Sequence, residues 1–271
     1  VKLRYLGVAG WHLITARSSL LVDPYFTRLP LGKMLFGYAI PDPAVIRAHT
    51  PSAGWVLNTH AHYDHLMDVP EIVRLTGGIV YASPQACDLL AIQDVPDFQL
   101  EDIHAGDWVV LGDFEVEVYL SRHRTIFGHI PYQKPLPPRL RPPLRARDYC
   151  FDYLYTFLIS AEEARVLITS GIDAEPSVEA DVLLVGADAS RDQLAVILEG
   201  VKPRLVMPNH WDDMFRPLSR PLLPMHKPPK GLIPSLKRID LAAFERHVRE
   251  LAPNAQVIIP RLFESYDLTR S

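Results

Sequence analysis

His60-Ala61-His62-Tyr63-Asp64-His65 puts four nitrogen or oxygen donors within six residues, directly after the apolar run Trp55-Val56-Leu57. Such a run, ending in a histidine-rich loop, reads as a buried strand that delivers side chains at its end. Imidazole suits zinc and neighbouring transition metals, and a carboxylate helps to hold a second, harder ion. In an extended segment His60 and His62 point the same way, and in a tight loop they can also converge on one ion; Asp64 and His65 follow immediately, so their side chains can diverge from the first pair. Further donors, His123, Asp173 and His210, each stand near the end of another apolar run. Seven donors around two ions leave positions for a shared water, which the ions would acidify into a nucleophile. The pattern predicts a metal-dependent hydrolase with two metals side by side, and says much less about the bond cleaved. The bland alternative, a surface metal-binding tract or polar loop contacts, would leave three histidines and an aspartate without a common purpose.

The surrounding chain predicts the frame. Leu3–Leu6 and Ser19–Val22 read as strands, with Asp23 at the end of the second and Pro24 stopping its ladder. After the histidine loop, Pro70–Leu75 reads as a helix ended by Gly77-Gly78, Ile79–Ala82 as a strand, and Ser83-Pro84 as the cap and first turn of a helix reaching Ile92. Trp108–Leu111, Gly112-Asp113 and Phe114–Tyr119 read as a hairpin whose second arm alternates apolar and acidic residues. A second hairpin turns around residues 161–164. Val182–Val185 and Arg204–Met207 read as strands with a helix from Arg191 to Glu199 between them, and Leu236–Leu251 as an amphipathic helix. Many strands, several hairpins and interspersed helices predict an α+β fold: a four-layer αββα sandwich of two mixed sheets with outer helices. One domain over residues 1–271 is the economical reading, since no internal repeat divides the chain.

Composition narrows the function classes. A net charge of −4 gives no global support for nucleic-acid binding. Cys87 and Cys150 do not make a disulfide scaffold, and inert core thiols are the expectation. VKLRYLGVAG has no apolar stretch followed by a cleavage site, and no run approaches transmembrane length, so a cytoplasmic protein is expected.

HAHYDH after a strand, together with LLVDPY, the later strand-end histidines and VMPNH, resembles the metallo-β-lactamase-fold superfamily of metallo-hydrolases. The resemblance covers nearly the whole chain. It is nearest to the branch of ascorbate-phosphate lactonase-like and N-acylphosphatidylethanolamine phospholipase D-like proteins. It implies that His60, His62 and His123 hold one metal, and that Asp64, His65 and His210 hold the second. It further implies that Asp173 is the bridging carboxylate and Asp23 a strand-end support for the ligands. The family places the bridging aspartate directly after glycine, whereas this chain reads Ser170-Gly171-Ile172-Asp173. A bulge or an altered turn could absorb the extra residue; it could also weaken the bridge or leave a single-metal site, and Asp188 is a rival carboxylate.

The remaining polar residues carry weaker expectations. Catalytic roles fall to Asp64 and Asp173, and to His129 as a proton donor or substrate contact, a non-catalytic hydrogen-bonding histidine being an equal reading. Asp212 could orient a ligand, with helix capping as its bland alternative. Residues 26–52, 124–149 and 217–234 read as insertions that shape substrate selection. Six prolines and seven cationic residues between Ser121 and Tyr149 predict a stiff extended loop suited to a phosphate or carboxylate. The leading function is hydrolysis of an ester-like bond (lactone, phosphodiester, phosphate ester or thioester) by a metal-bound hydroxide. The expected cofactors are two divalent ions, Zn²⁺ first, with Mn²⁺ or Fe as alternatives. The expected partner is a small molecule, anionic with an apolar part, and not nucleic acid; a homo-oligomer is left open. The alternatives are a di-iron redox enzyme and a binding protein with a degenerate metal site.

Overall fold

The computed structural model describes residues 1–125, 129–171, 177–227 and 237–268. Six strands open the chain: β1 (Lys2–Gly7), β2 (Gly10–Ile14), β3 (Ser19–Val22), β4 (Trp55–Leu57), β5 (Ile79–Ala82) and β6 (Leu100–Asp102). The second set is β7 (Trp108–Leu111), β8 (Phe114–Ser121), β9 (Leu154–Ala161), β10 (Ala164–Ile168), β11 (Val182–Gly186), β12 (Leu205–Asn209) and β13 (Gln256–Val257). A last strand, β14 (Ser265–Asp267), returns to the first set. The sheet orders are β14-β1-β2-β3-β4-β5-β6 and β13-β12-β11-β10-β9-β8-β7.

Each sheet has the same plan. β1, β2 and β3 pair antiparallel, and β3 to β6 continue in parallel. In the second sheet β7 to β10 pair antiparallel and β10 to β13 in parallel. Hairpins need only short turns, whereas parallel neighbours need crossovers, which the helices supply. The consequence is directional. β1, β3 and β4 end at one edge of the first sheet, and β8, β10, β11 and β12 end at one edge of the second.

Alternation along the strands explains the layers. On β10, Val166 and Ile168 enter the core between the sheets and Leu167 enters the core under the outer helices. β11 repeats this with Val182 and Leu184 inward and Leu183 and Val185 outward. On β3, Leu20 and Val22 face the inter-sheet core while Leu21 faces the first helical layer. A strand buried on both faces can hold so many aliphatic residues only if each sheet is covered on both sides. The protein is therefore an α+β sandwich of two mixed sheets flanked by helices.

The helices are α1 (Leu31–Phe36), α2 (Pro43–His49), α3 (Tyr63–Leu66), α4 (Val69–Thr76), α5 (Pro84–Ala91), α6 (Arg191–Val201) and α7 (Leu241–Leu251). Ser83 caps α5 through Ala86 N–H, as the Ser-Pro pair predicts. The helix expected from Leu236 has its first residue outside the described residues; α7 begins at Leu241, where the Asp240 side chain accepts from Ala243 N–H and sets the first turn. Residues 26–52 carry two short helices. α1 buries none of its side chains, so the segment has no periodic apolar face to read from sequence. The Gly112-Asp113 turn joins β7 to β8 with Leu111 opposite Phe114, as expected. Among the described residues, no helix is long and apolar enough to cross a membrane. Cys87 and Cys150 are free, buried thiols.

A candidate metal centre where the two sheets meet

The histidine motif starts three residues after the end of β4. His62 is the cap residue of α3, and His65 N–H donates to His62 O at 2.9 Å. This single turn swings Asp64 and His65 away from His60 and His62. His123 lies two residues beyond β8, and His210 directly follows β12. The edges that carry them are tied together. His210 N–H donates to Val8 O at 2.9 Å, and Tyr155 N–H of β9 donates to Thr59 O at 2.9 Å.

Two triads result. His60, His62 and His123 form one; Asp64, His65 and His210 form the other, each with one donor atom per residue and all three within 4.8 Å. In the first, His60 Nε2 and His62 Nδ1 face each other at 3.0 Å. The opposite nitrogens are held elsewhere: Thr59 Oγ1 lies 3.1 Å from His60 Nδ1, and Pro131 O accepts from His62 Nε2 at 3.1 Å. His123 donates from Nδ1 to Arg124 O at 2.8 Å. In the second triad His210 Nε2 and His65 Nε2 stand 3.1 and 3.7 Å from Asp64 Oδ2. The triads adjoin, with the His60 and His65 ring centroids 4.1 Å apart. Phe151 forms a wall against the first triad, with its ring 5.3, 4.9 and 5.7 Å from those of His60, His62 and His123.

Asp23 supports both the loop and a ring. Its Oδ1 accepts from Asn58 Nδ2 at 3.1 Å and Thr59 N–H at 2.8 Å. Its Oδ2 takes Thr59 Oγ1 in a short hydrogen bond and His65 Nδ1 at 2.8 Å. Asp23 itself is in the left-handed region at φ 44.

Electrostatics keep the first triad and Asp64 in metal-ready form. Burial, reinforced by the neighbouring rings, pushes His60 well below the usual imidazole range. Burial likewise lowers His62 to about 4 and His123 to about 3. Burial would raise the Asp64 carboxyl, but His65 and His210 outweigh it and hold it below the ordinary carboxylate range. Burial opposes a proton on His65 too, yet Asp23 and Asp64 overcome it and raise that ring. A metal needs neutral imidazole and ionised carboxylate, and the first triad offers neutral imidazole on all three residues. Tetrahedral zinc with Zn–N bonds of about 2.05 Å sets ligand atoms roughly 3.3 Å apart, close to the His60–His62 separation. The residues present therefore fit the group.

The other expected site residues fall in different places. Asp173 lies outside the described residues. Asp188 makes a short ion pair with Arg124, so its charge is already matched, and its Oδ1 is buried without a partner among the described residues. His129 is exposed. Asp212 accepts from Tyr5 OH in a short hydrogen bond, from Val8 N–H at 2.6 Å and from Arg28 Nη1 at 2.7 Å. It holds the loop after His210 against β1. Thr59, the Pro131 carbonyl and Phe151 were not anticipated. Thr59 is adjacent to the motif and readable as such, whereas Pro131 comes from the distant 124–149 insertion and Phe151 from just beyond it, with no local signal. The basic stretch is partly committed as well: Arg145 donates to Phe36 O at 3.2 Å and lies 4.8 Å from the Tyr38 ring.

The comparisons agree with this architecture. A protein described as a UPF0173 metal-dependent hydrolase from Sinorhizobium medicae is 32% identical over 123 residues, 45% of this chain and 48% of that protein. One of the same description from Symbiobacterium thermophilum is 24% identical over 276 residues, 99% of this chain and all of that protein. Igni18, described as a novel metallo hydrolase from Ignicoccus hospitalis, superposes with a TM-score of 0.61 at 18% identity and 99% coverage of both chains. YhfI from Bacillus subtilis, described as a metallo-β-lactamase fold protein, superposes with a TM-score of 0.57 at 13% identity and 98% coverage of both chains, so the likeness is one of fold. No protein-family model matches it. The Sinorhizobium alignment spans about half the length of that relative. Within this fold the two triads occupy the edge where the sheets converge.

Proposed function

We propose that the two triads hold two divalent transition-metal ions, zinc foremost, and that the chain hydrolyses an ester-like bond. The observation that carries this reading is the pair of adjoining triads built from one loop and two distant strand ends. Bound metals would supply Lewis acidity and an acidified water. The chain's own part is orientation. Thr59 and Pro131 O anchor the outer nitrogens of His60 and His62, so Nε2 of one and Nδ1 of the other turn inward. Asp23 does the same for His65. Asp64 stays ionised at neutral pH and provides the only carboxylate of the described triads. Asp173 keeps its proposed role as bridging carboxylate on the sequence pattern alone.

The hydrolase class is further supported by relatives whose descriptions read metal-dependent hydrolase. The lactonase-like and phospholipase D-like branch remains our finer reading, resting on the sequence motifs around Asp23, His60 and His210. The test is metal analysis of purified protein followed by a screen of lactones, carboxylic esters, thioesters and phosphodiesters. Near two equivalents of metal with metal-dependent turnover of one class supports the proposal. Two equivalents without turnover of any class would remove the hydrolase reading and leave a metal-binding protein.

A further inference from the structure

The segment that anchors His62 also carries an unusual tyrosine. Pro131 O accepts from His62 Nε2 at 3.1 Å, and the next residue, Tyr132, has φ 57. A left-handed backbone is uncommon for a bulky residue and costs on the order of 1–3 kcal/mol unless its surroundings enforce it. Here they do: Phe151 N–H donates to Tyr132 O at 3.1 Å, and Phe151 is the wall against the first triad. This conformation brings the Tyr132 ring edge-on to His62, with centroids 6.0 Å apart and planes at 86°. The residue remains 38% exposed. Asp23 and His210, at φ 44 and 48, are the other left-handed residues directly at the triads. Both of those place a side chain on the centre.

We infer that Tyr132 is a substrate-binding residue, whose phenol donates a hydrogen bond to the carbonyl or phosphoryl oxygen of a substrate at the triads. The inference rests on the hydrolase reading and names one of its binding groups. An exposed phenol beside His62 is a neutral donor that can follow an oxygen as it gains negative charge. Two simpler roles are available for a surface tyrosine, solvation and packing. Neither accounts for a strained backbone that sets the ring beside a candidate ligand when glycine would hold the turn at lower cost.

The experiment compares wild type, Tyr132→Phe and Tyr132→Gly. Each is assayed for metal content, thermal midpoint, binding of phenylphosphonate to the zinc-loaded protein by calorimetry, and turnover of the best ester. The expected result for Tyr132→Phe is unchanged metal content and midpoint, with phenylphosphonate affinity and kcat/KM each reduced about tenfold or more. Tyr132→Gly should match or exceed the wild-type midpoint and show the same loss of affinity. If both variants bind phenylphosphonate as wild type does, the inference is overturned. A wild type that turns over nothing refutes the hydrolase reading, while the calorimetric comparison still decides the role of Tyr132.

Discussion

Asp23 Oδ2 stands 2.8 Å from His65 Nδ1, which leaves Nε2 of the same ring facing Asp64. One carboxylate at the end of β3 thus fixes the tautomer and direction of a ring on the loop after β4. Replacing it should matter more for metal affinity than for folding of the sheets. Asp23→Ala is expected to weaken metal binding at the second triad by about 10–100-fold. A chelator-competition titration checks this, and an unchanged affinity would show that Thr59 alone orients the loop.

His62 lies in the loop and is half-buried, so its removal leaves the strands intact. His62→Ala should lose the metal of the first triad and most hydrolysis while keeping the far-ultraviolet signature of the wild type. Elemental analysis showing full occupancy in this variant would end the ligand assignment.

Acid should destabilise the metal-free protein. His12 and His62 sit at about 4 and His123 at about 3, with burial the chief cause in each. In the unfolded chain these rings titrate near ~6.5. Between the two values the unfolded state binds more protons, so their contribution is present above pH ~6.5 and is lost as pH falls toward the folded values. Asp68 acts in the opposite sense: burial raises it to about 6, so its contribution grows as pH falls through that value. Three rings outweigh one carboxyl. The urea midpoint of chelator-treated protein should be lower at pH 5 than at pH 7, and an equal or higher midpoint would contradict the burial of these rings.

Arg28 and Asp212 form a buried pair, with side-chain exposures of 1% and 0%. Asp212→Ala strands the guanidinium charge and Val8 N–H, and leaves the Tyr5 hydroxyl only the Val8 carbonyl at 3.1 Å. The expected loss is about 3–5 kcal/mol of stability, because a buried charge without its partner is costly. Adding Arg28→Met should recover part of it. A single-variant loss below about 1 kcal/mol, measured by urea unfolding, would mean that water reaches the pair.

Local patterns made much of the frame readable. Ser83-Pro84, Gly112-Asp113 and the aliphatic runs of β10 and β11 each state their structure within a few residues. HAHYDH stated its donor chemistry just as locally. What stayed hidden depends on long-range contact. Arg28 and Asp212 are 184 residues apart, and Tyr5 and Asp212 are 207 apart. Gly7, at φ 96, leaves the space into which the Arg28 guanidinium packs, and a side chain there would collide with it. The His62–Pro131 contact likewise joins a loop to an insertion whose sequence announces only proline and positive charge. The pairing of Arg124 with Asp188 was hidden for the same reason, although Asp188 alone drew notice.

Each triad takes two donors from the loop after β4 in one sheet and its third from a strand end in the other. A chain whose sheets have not yet come together can offer only incomplete fragments of either triad. A metal ion bound there would therefore distinguish the assembled sandwich from half-formed states. At a hundredfold excess over its dissociation constant, one such ion adds about 2.7 kcal/mol to the assembled form alone. Metal supply would then act as a late checkpoint on maturation, sealing the two layers only after each has found the other.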